Sequence, residues 1–388
     1  MFGVGAGLAD ALRAELGELT LSGPRARLAV SAAVAVGSAT LAALLLRLDD
    51  PWWAAISAFT CTQASWPQSG AKGLLRIAGT VAGAAAGFVF APWFVYDVPA
   101  TLLLLFTAGT LAIAGFLLSR HGYAWLLGGV TAVMVTLGSL DRPELALTVA
   151  VYRTAEIVLG VVAALLVAQA LAEPGDGGKV DAPGWSSLFD RNWHVLGHAV
   201  RSGLVVAAVP VVWRVLEIPN LSQMAISVTA VMAVPQLSGD PAQDEAALLQ
   251  RGVQRIAGCG LGGGAGLLLL SLPMDGLVPW LLALMAGAWL GMLVQSGRHG
   301  VGVAATQAAV AFILTLVQGQ GPPTSLKPAL ERLAGMLGAL AMLLAATLLF
   351  GPAPLQEPRP ARPGSGAQGG APSILARLRA TLAGVRAR

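Results

Sequence analysis

Four arginines and one glutamate stand out in this 388-residue chain for what their chemistry and spacing can do. Arg76 and Arg255 head the segments RIAGTVAGAAAG and RIAGCGLGGGAG, which agree at seven of twelve positions. Arg153 and Arg332 sit in VYRTAEIVLG and ALERLAGMLG, and the stretch of chain between them is as long as that between Arg76 and Arg255. A guanidinium offers a planar fork that grips a carboxylate through two hydrogen bonds, and such contacts strengthen away from water. Glu156 lies one helical turn from Arg153 and can pair with it. Two chemistries are therefore open at Arg153: a structural ion pair, or an anion site lining a cavity. Arg76 and Arg255 are open to two readings as well, as anchors at the edge of an apolar helix or as members of the same positive path. Glu331 adjoins Arg332 but cannot share its helix face, so the second segment lacks the internal partner that Glu156 gives the first.

Other chemistries find no support. There is no G-x-x-x-x-G-K-[ST] phosphate loop and no G-x-S-x-G nucleophile elbow. His121, His194, His198 and His299 lack metal-ligand spacing with acids, and the two cysteines, Cys61 and Cys259, fall inside apolar runs. Gly258, Gly260 and Gly263 imitate a dinucleotide fingerprint, but that motif needs a preceding strand, and the first copy carries the same segment without the spacing. No catalytic residue, metal, cofactor or nucleic-acid partner is expected, and the chain does not read as an enzyme.

The elements that position the arginines follow from composition. Hydrophobic residues make up 56% of the chain, charged residues 11%, and mean hydropathy is +0.72. A soluble domain carries about 25% charged residues. The charges also bracket long uncharged runs: 19 residues between Arg27 and Arg47, 21 between Asp50 and Lys72, 20 between Arg76 and Asp97, and 22 between Asp97 and Arg120. A bilayer core of about 30 Å needs roughly 20 apolar helical residues. The chain reads as an all-α integral membrane protein of about twelve transmembrane helices. Six spans are placed at 26–46, 52–69, 73–92, 98–118, 122–140 and 146–171, and six more at 199–216, 220–237, 256–272, 277–296, 301–318 and 329–350. With the N-terminus inside, 18 of the 24 Lys and Arg residues fall on the inner side. Positive charge favours the cytoplasmic face, so both termini are expected there.

The arginine motifs belong to a longer repeat. SRHGYA at 119–124 matches GRHGVG at 297–302, AISAF at 55–59 resembles AISVT at 225–229, and WPQSG at 66–70 resembles VPQLSG at 234–239. The spacing divides the chain into residues 1–172 as a first six-helix unit and 198–351 as a second. Six is even, so the copies run parallel about an axis along the membrane normal. Residues 173–197 form a Gly/Pro-rich cytoplasmic linker. Residues 352–388 form a Pro/Gly-rich cytoplasmic tail, whose basic end, SILARLRATLAGVRAR, reads either as a helix on the anionic inner leaflet or as a solvated segment. Gly79, Gly83 and Gly87, and likewise Gly258, Gly262 and Gly266, fall at i, i+4 and i+8 on one helix face, where small residues let backbones approach closely in lipid. An arginine at mid-bilayer costs roughly 2.5–3.5 kcal/mol on insertion scales. Arg153 and Arg332 must therefore face a partner or water, and Glu156 is the only acid expected deep in a span.

The segments DPWWAAISAFTCTQ, KGLLRIAGTVAG and YRTAEIVLG resemble the fusaric acid resistance and aromatic acid exporter family, called FUSC-like, and the six-helix unit is similar to that of plant aluminium-activated malate transporters. The resemblance extends over residues 25–351 as two copies. It implies export or conduction of organic anions such as aromatic carboxylates across the bacterial inner membrane. It also implies a path bordered by Arg76, Arg153, Arg255, Arg332 and Glu156, with small organic anions, the lipid bilayer and a possible periplasmic adaptor protein as partners. Many family members carry a large cytoplasmic domain that is absent here, and Gly335 stands where the first copy has Glu156. The alternative is a membrane scaffold or accessory subunit that transports nothing by itself. Single-cysteine labelling in intact cells tests the topology: a cysteine at Lys179 should react only after the inner face is exposed, and reaction from the periplasm contradicts the orientation.

Overall fold

The computed structural model describes residues 2–94, 96–140, 142–171, 184–185, 193–216, 227–229, 232–233, 241–272, 276–323 and 325–350. Its elements are α1 (Phe2–Gly17), α2 (Pro24–Leu45), α3 (Pro51–Cys61), α4 (Trp66–Phe94), α5 (Val98–Leu118), α6 (Gly122–Gly138) and α7 (Ala146–Leu171), the last led by a 3-10 turn at Pro143–Leu145. After the linker come α8 (Trp193–Leu216), α9 (Pro241–Leu270), α10 (Leu277–Gln295), α11 (Gly302–Leu316) and α12 (Lys327–Phe350). No strand element occurs among the described residues. Among the described residues, seven helices are long and apolar enough to cross a membrane, and α6 and α11 are shorter apolar helices. The protein is an all-α membrane protein. Of the eighth expected span, 220–237, only residues 227–229 and 232 are described as helical, and the rest lies outside the described residues, as do most of the linker and the tail from 351 onward.

One span departs from expectation. The second run, 52–69, reads as one span, but α3 stops at Cys61 and α4 begins at Trp66. Pro67 explains the break. Its ring clashes with the carbonyl four residues back and it has no N–H to give, which kinks or breaks a helix; α4 runs on through Pro92, but at Pro67 the chain breaks. Thr62 turns extended (φ −69°, ψ 119°), and the Ser69 hydroxyl accepts the freed Gln63 N–H at 3.0 Å. At 11 residues, α3 rises about 16 Å, half a bilayer.

The glycine faces make the closest crossings. A Cβ added at Gly79 or Gly83 meets the Ala124 or Gly128 carbonyl of α6, and one at Gly258 or Gly262 meets the Ala304 or Ala308 carbonyl of α11. Gly87 packs on Val135, and Gly266 on Thr315. The α4–α6 and α9–α11 crossings thus use residues that lie 179 or 180 positions apart along the chain.

The two halves also exchange their first helices. α2 packs against α10 of the second half, and α8 packs against α5 of the first. Gly37 of α2 touches Met285, and Gly203 of α8 touches Phe106, the counterpart of Met285 in the first copy. The main core lies where α2, α3, α7, α10 and α11 meet, around Val36, Phe59, Trp280, Leu284 and Ile313. Trp280 is fully buried and donates its indole N–H to the Leu316 carbonyl at 3.0 Å.

Neighbours distinguish the glycines. A side chain at Gly83 or Gly262 must displace backbone, whereas one at Gly37 meets the flexible end of Met285. Gly83→Leu and Gly262→Leu should each cost at least the roughly 1–3 kcal/mol of overpacking, and more than Gly37→Leu. Thermal unfolding in detergent checks this, and equal midpoints for the three variants would contradict it.

Candidate functional site

Arg153 and Arg332 meet at one station, and Arg76 has partners of its own at a second. At the first, Arg153 of α7 and Arg332 of α12 meet around the start of α3. Arg153 donates Nη1–H to Glu156 Oε2 at 2.8 Å and Nη2–H to Asp50 Oδ2 at 2.7 Å. The Asp50 backbone N–H donates to Glu156 Oε1 at 2.7 Å, so the glutamate is held from both sides and is fully buried. Arg332 lies 3.9 Å from the other Asp50 oxygen, and its Nη1 donates to the Leu314 and Val317 carbonyls at 3.1 and 2.9 Å. Trp52 is shared as well. The Arg153 and Arg332 guanidinium carbons lie 5.7 and 5.0 Å from its ring centre, and Arg153 lies 5.0 Å from that of Trp53. Local sequence makes this possible. Pro51 starts α3, and Asp50 at the N-cap makes no side-chain cap bond. Its carboxylate instead accepts from the Trp52 indole at 3.1 Å and from Arg153.

Two donors stay unused at this station. Arg153 Nε and Trp53 Nε1 are buried and have no hydrogen-bond partner. An unsatisfied buried donor costs about 1–3 kcal/mol, so the station has unspent capacity for an acceptor.

The second station holds Arg76, which is 4% exposed. Its Nε donates to Ser57 Oγ at 3.1 Å and its Nη1 to the Tyr123 hydroxyl at 2.9 Å. Lys72, one turn earlier on α4, places its ammonium 5.6 Å from the Tyr123 ring centre. No carboxylate pairs with Lys72 or Arg76 among the described residues. In the second half, Arg255 Nη1 donates to Gln307 Oε1 at 2.8 Å, and Arg251 stands where the first copy has Lys72. α3 links the stations, with Asp50 to Trp53 at one end and Ser57 at the other. Ser57 packs on Gly160 of α7, two turns past Arg153, which separates the stations by about 10 Å along the helix.

The larger cavities lie elsewhere. One of about 380 Å³ sits among α4, α5 and α6, and one of about 270 Å³ among α9, α10 and α11. Both are walled by apolar residues, and neither touches any of the four arginines.

Residues 26–183 match the fusaric acid resistance protein family. Asp50, Trp52, Trp53, Ser57, Lys72, Arg76, Tyr123, Arg153 and Glu156 all lie inside that match, and the resemblance carried by DPWWAAISAFTCTQ, KGLLRIAGTVAG and YRTAEIVLG falls within it. The chain is also similar to the p-hydroxybenzoic acid efflux pump subunit AaeB of Escherichia coli strain K12, at 30% identity over 165 residues, which is 39% of this chain and 25% of that protein. The subunits of the same name from Escherichia coli O1:K1 and Shigella boydii serotype 18 give the same identity and coverage. The chain spans about a quarter of the length of these curated relatives. No solved structure matches.

Sequence reasoning names Arg153, Glu156 and Arg332 but not Asp50 as their partner; Asp50 figures there as the edge of an uncharged run and the first residue of DPWWAAISAFTCTQ. It follows that Glu156 is not the only acid at the arginines. Arg332, expected to lack an internal partner, takes one from the first half, while Glu331 approaches Lys327 at 3.9 Å. Tyr123 and Ser57 carried no spacing signal toward Arg76, because the three lie on separate helices.

Removing the buried charge of Glu156 leaves Arg153 dependent on the half-exposed Asp50. Losing one partner of a buried pair costs roughly 3–5 kcal/mol, so Glu156→Gln should lower the unfolding midpoint in detergent. Adding Arg153→Gln should return part of that loss, and strictly additive losses would mean the two groups are not coupled.

Proposed function

We propose that this chain is a transporter, not an enzyme, and that it exports organic anions such as aromatic carboxylates across a bacterial inner membrane. On this reading it is a duplicated unit, residues 1–172 and 198–351, with Arg76, Arg153, Arg255 and Arg332 forming a positive path between the halves. The observation that carries the proposal is the first station. Arginines from α7 and α12 converge on Asp50 beneath two tryptophans, with Arg153 Nε and Trp53 Nε1 left as buried donors. A carboxylate is the acceptor that suits a guanidinium, and an aromatic ring is compatible with the indole faces beside it. The broken helix α3 supports the same reading, since discontinuous helices place backbone ends and polar groups at transport sites. The p-hydroxybenzoic acid named for the AaeB relatives belongs to the same chemical class.

Release requires that the anion be held weakly. Asp50 and Glu156 already occupy the Arg153 fork, so an entering carboxylate competes with them. Protonation of Glu156 frees the guanidinium, which makes a proton gradient a coherent drive and Glu156 the gate. A periplasmic adaptor is consistent with the word subunit in the relatives' name.

A second reading rests on a specific observation. The fork is filled by the protein's own acids and the larger cavities are apolar, as befits a scaffold or accessory subunit that transports nothing alone. Uptake of carboxylates into inside-out vesicles separates the two. Arg153→Lys keeps the charge without the fork and should impair transport markedly, while Arg153→Gln should abolish it, both with normal insertion. Normal transport by both variants would make the arginine structural.

A further inference from the structure

The two apolar cavities are counterparts. Gly83, Leu111 and Gly128 line the first, and the corresponding Gly262, Leu290 and Ala308 of the second copy line the other. They differ in what closes them. Leu12 and Leu16 of α1 complete the wall of the second cavity, and Leu8, Ala11 and Leu12 pack on Val294, Val301 and Ala305 beside it. The first is lined by α4, α5 and α6 alone, with Ala82 and Phe90 exposed and Trp125 packed edge-on against Trp185 of the linker at 5.4 Å between ring centres.

Polar contacts fix α1 in place. Its fully buried Glu15 accepts the Arg298 and His299 backbone N–H groups at 3.0 and 3.1 Å and pairs with Arg25. Burial opposes the charge on Glu15, but the His299 N–H, Arg25 and the Arg298 N–H outweigh it and hold the carboxyl below its ordinary value. The contact is therefore complete at neutral pH and weakens only as pH falls through that lowered value. The loop needs this outside acceptor because Gly297 offers none. In the first half the corresponding loop supplies its own: Ser119 Oγ accepts the His121 N–H at 3.1 Å.

The sequence holds a second copy of the α1 motif. Leu12-Arg13-Ala14-Glu15-Leu16 recurs as Leu378-Arg379-Ala380-Thr381-Leu382, with both leucines kept and the acid replaced by threonine. The first half has less need of that acid, since Ser119 already accepts the His121 N–H, the counterpart of the His299 N–H that Glu15 accepts. The chain from Phe350 to Leu378 can reach up to about 90 Å when extended, ample to cross the inner face from the end of α12.

We propose that the C-terminal segment 373–388 docks on the cavity between α4, α5 and α6, seating Leu378 and Leu382 as α1 seats Leu12 and Leu16 on its counterpart. Each half is then closed at its inner end by one terminal segment of the chain. Arg377, Arg379, Arg386 and Arg388 are left toward the inner leaflet, where anionic lipid favours them.

Cross-linking the full chain in native membranes tests this, with Cys61 and Cys259 replaced by alanine. The pair Leu12→Cys and Ala305→Cys gives the reference yield for α1. Leu378→Cys with Trp125→Cys, the position corresponding to Ala305, should cross-link within one chain at a comparable yield, and Arg379→Cys with Trp125→Cys should show a several-fold loss. Equal yields at 378 and 379 describe a tail without a docked face and overturn the proposal. A second measurement needs no cross-link: labelling of Ala82→Cys by a membrane-permeant maleimide should rise several-fold when residues 373–388 are deleted. Low labelling that deletion leaves unchanged assigns the cavity to a lipid chain and also overturns it.

Discussion

The cost of placing guanidinium groups where water is scarce governs this structure. Arg153 is 8% exposed, and an unmatched charge there would consume a sizeable share of the roughly 5–15 kcal/mol by which a fold is stable. Asp50 and Glu156 match it from one turn and one helix end, and the Asp50 N–H ties the two acids together. Because Asp50 also approaches Arg332, the charge balance of the second half depends on the first. The short helix α3 exists in the form that serves this: Pro51 opens it beside the arginines, and Pro67 prevents its continuation.

Close backbone approach is the second constraint, and it frees the interior for those charges. Lipid supplies no hydrophobic drive between helices, so packing must come from fit. The α4–α6 and α9–α11 crossings put glycine against carbonyl oxygen, which leaves no volume between the backbones. The exchange of α2 and α8 across the halves then joins two such tight units into one body, with the main core at the join.

The stations differ in how their charge is met. The first is balanced by Asp50 and Glu156 and bordered by the indole rings of Trp52 and Trp53. At the second, about 10 Å along α7, the described residues that bond Arg76 are the Ser57 and Tyr123 hydroxyls, with Lys72 beside the Tyr123 ring.

The sequence by itself determined the class, the long apolar runs and the recurrence of the arginines, because uncharged runs of bilayer length and a constant offset between paired motifs are one-dimensional signals. It also picked out the glycine faces, since i, i+4 and i+8 place residues on one side of any helix. The break in the second span depended on a single proline inside an apolar run, and the run's length concealed it. Asp50 was unreadable as a partner because Arg153 lies on α7 and Arg332 on α12, far along the chain from the start of α3, and nothing in local pattern says which helices will touch. The hydroxyl partners of Arg76, the sharing of Trp52 by two arginines and the seating of α1 on the second half were likewise decided by tertiary structure. The physical reason is common to all of them: a buried donor takes whichever acceptor the packing brings within about 3 Å, and packing is a property of helix faces in three dimensions rather than of neighbours along the chain.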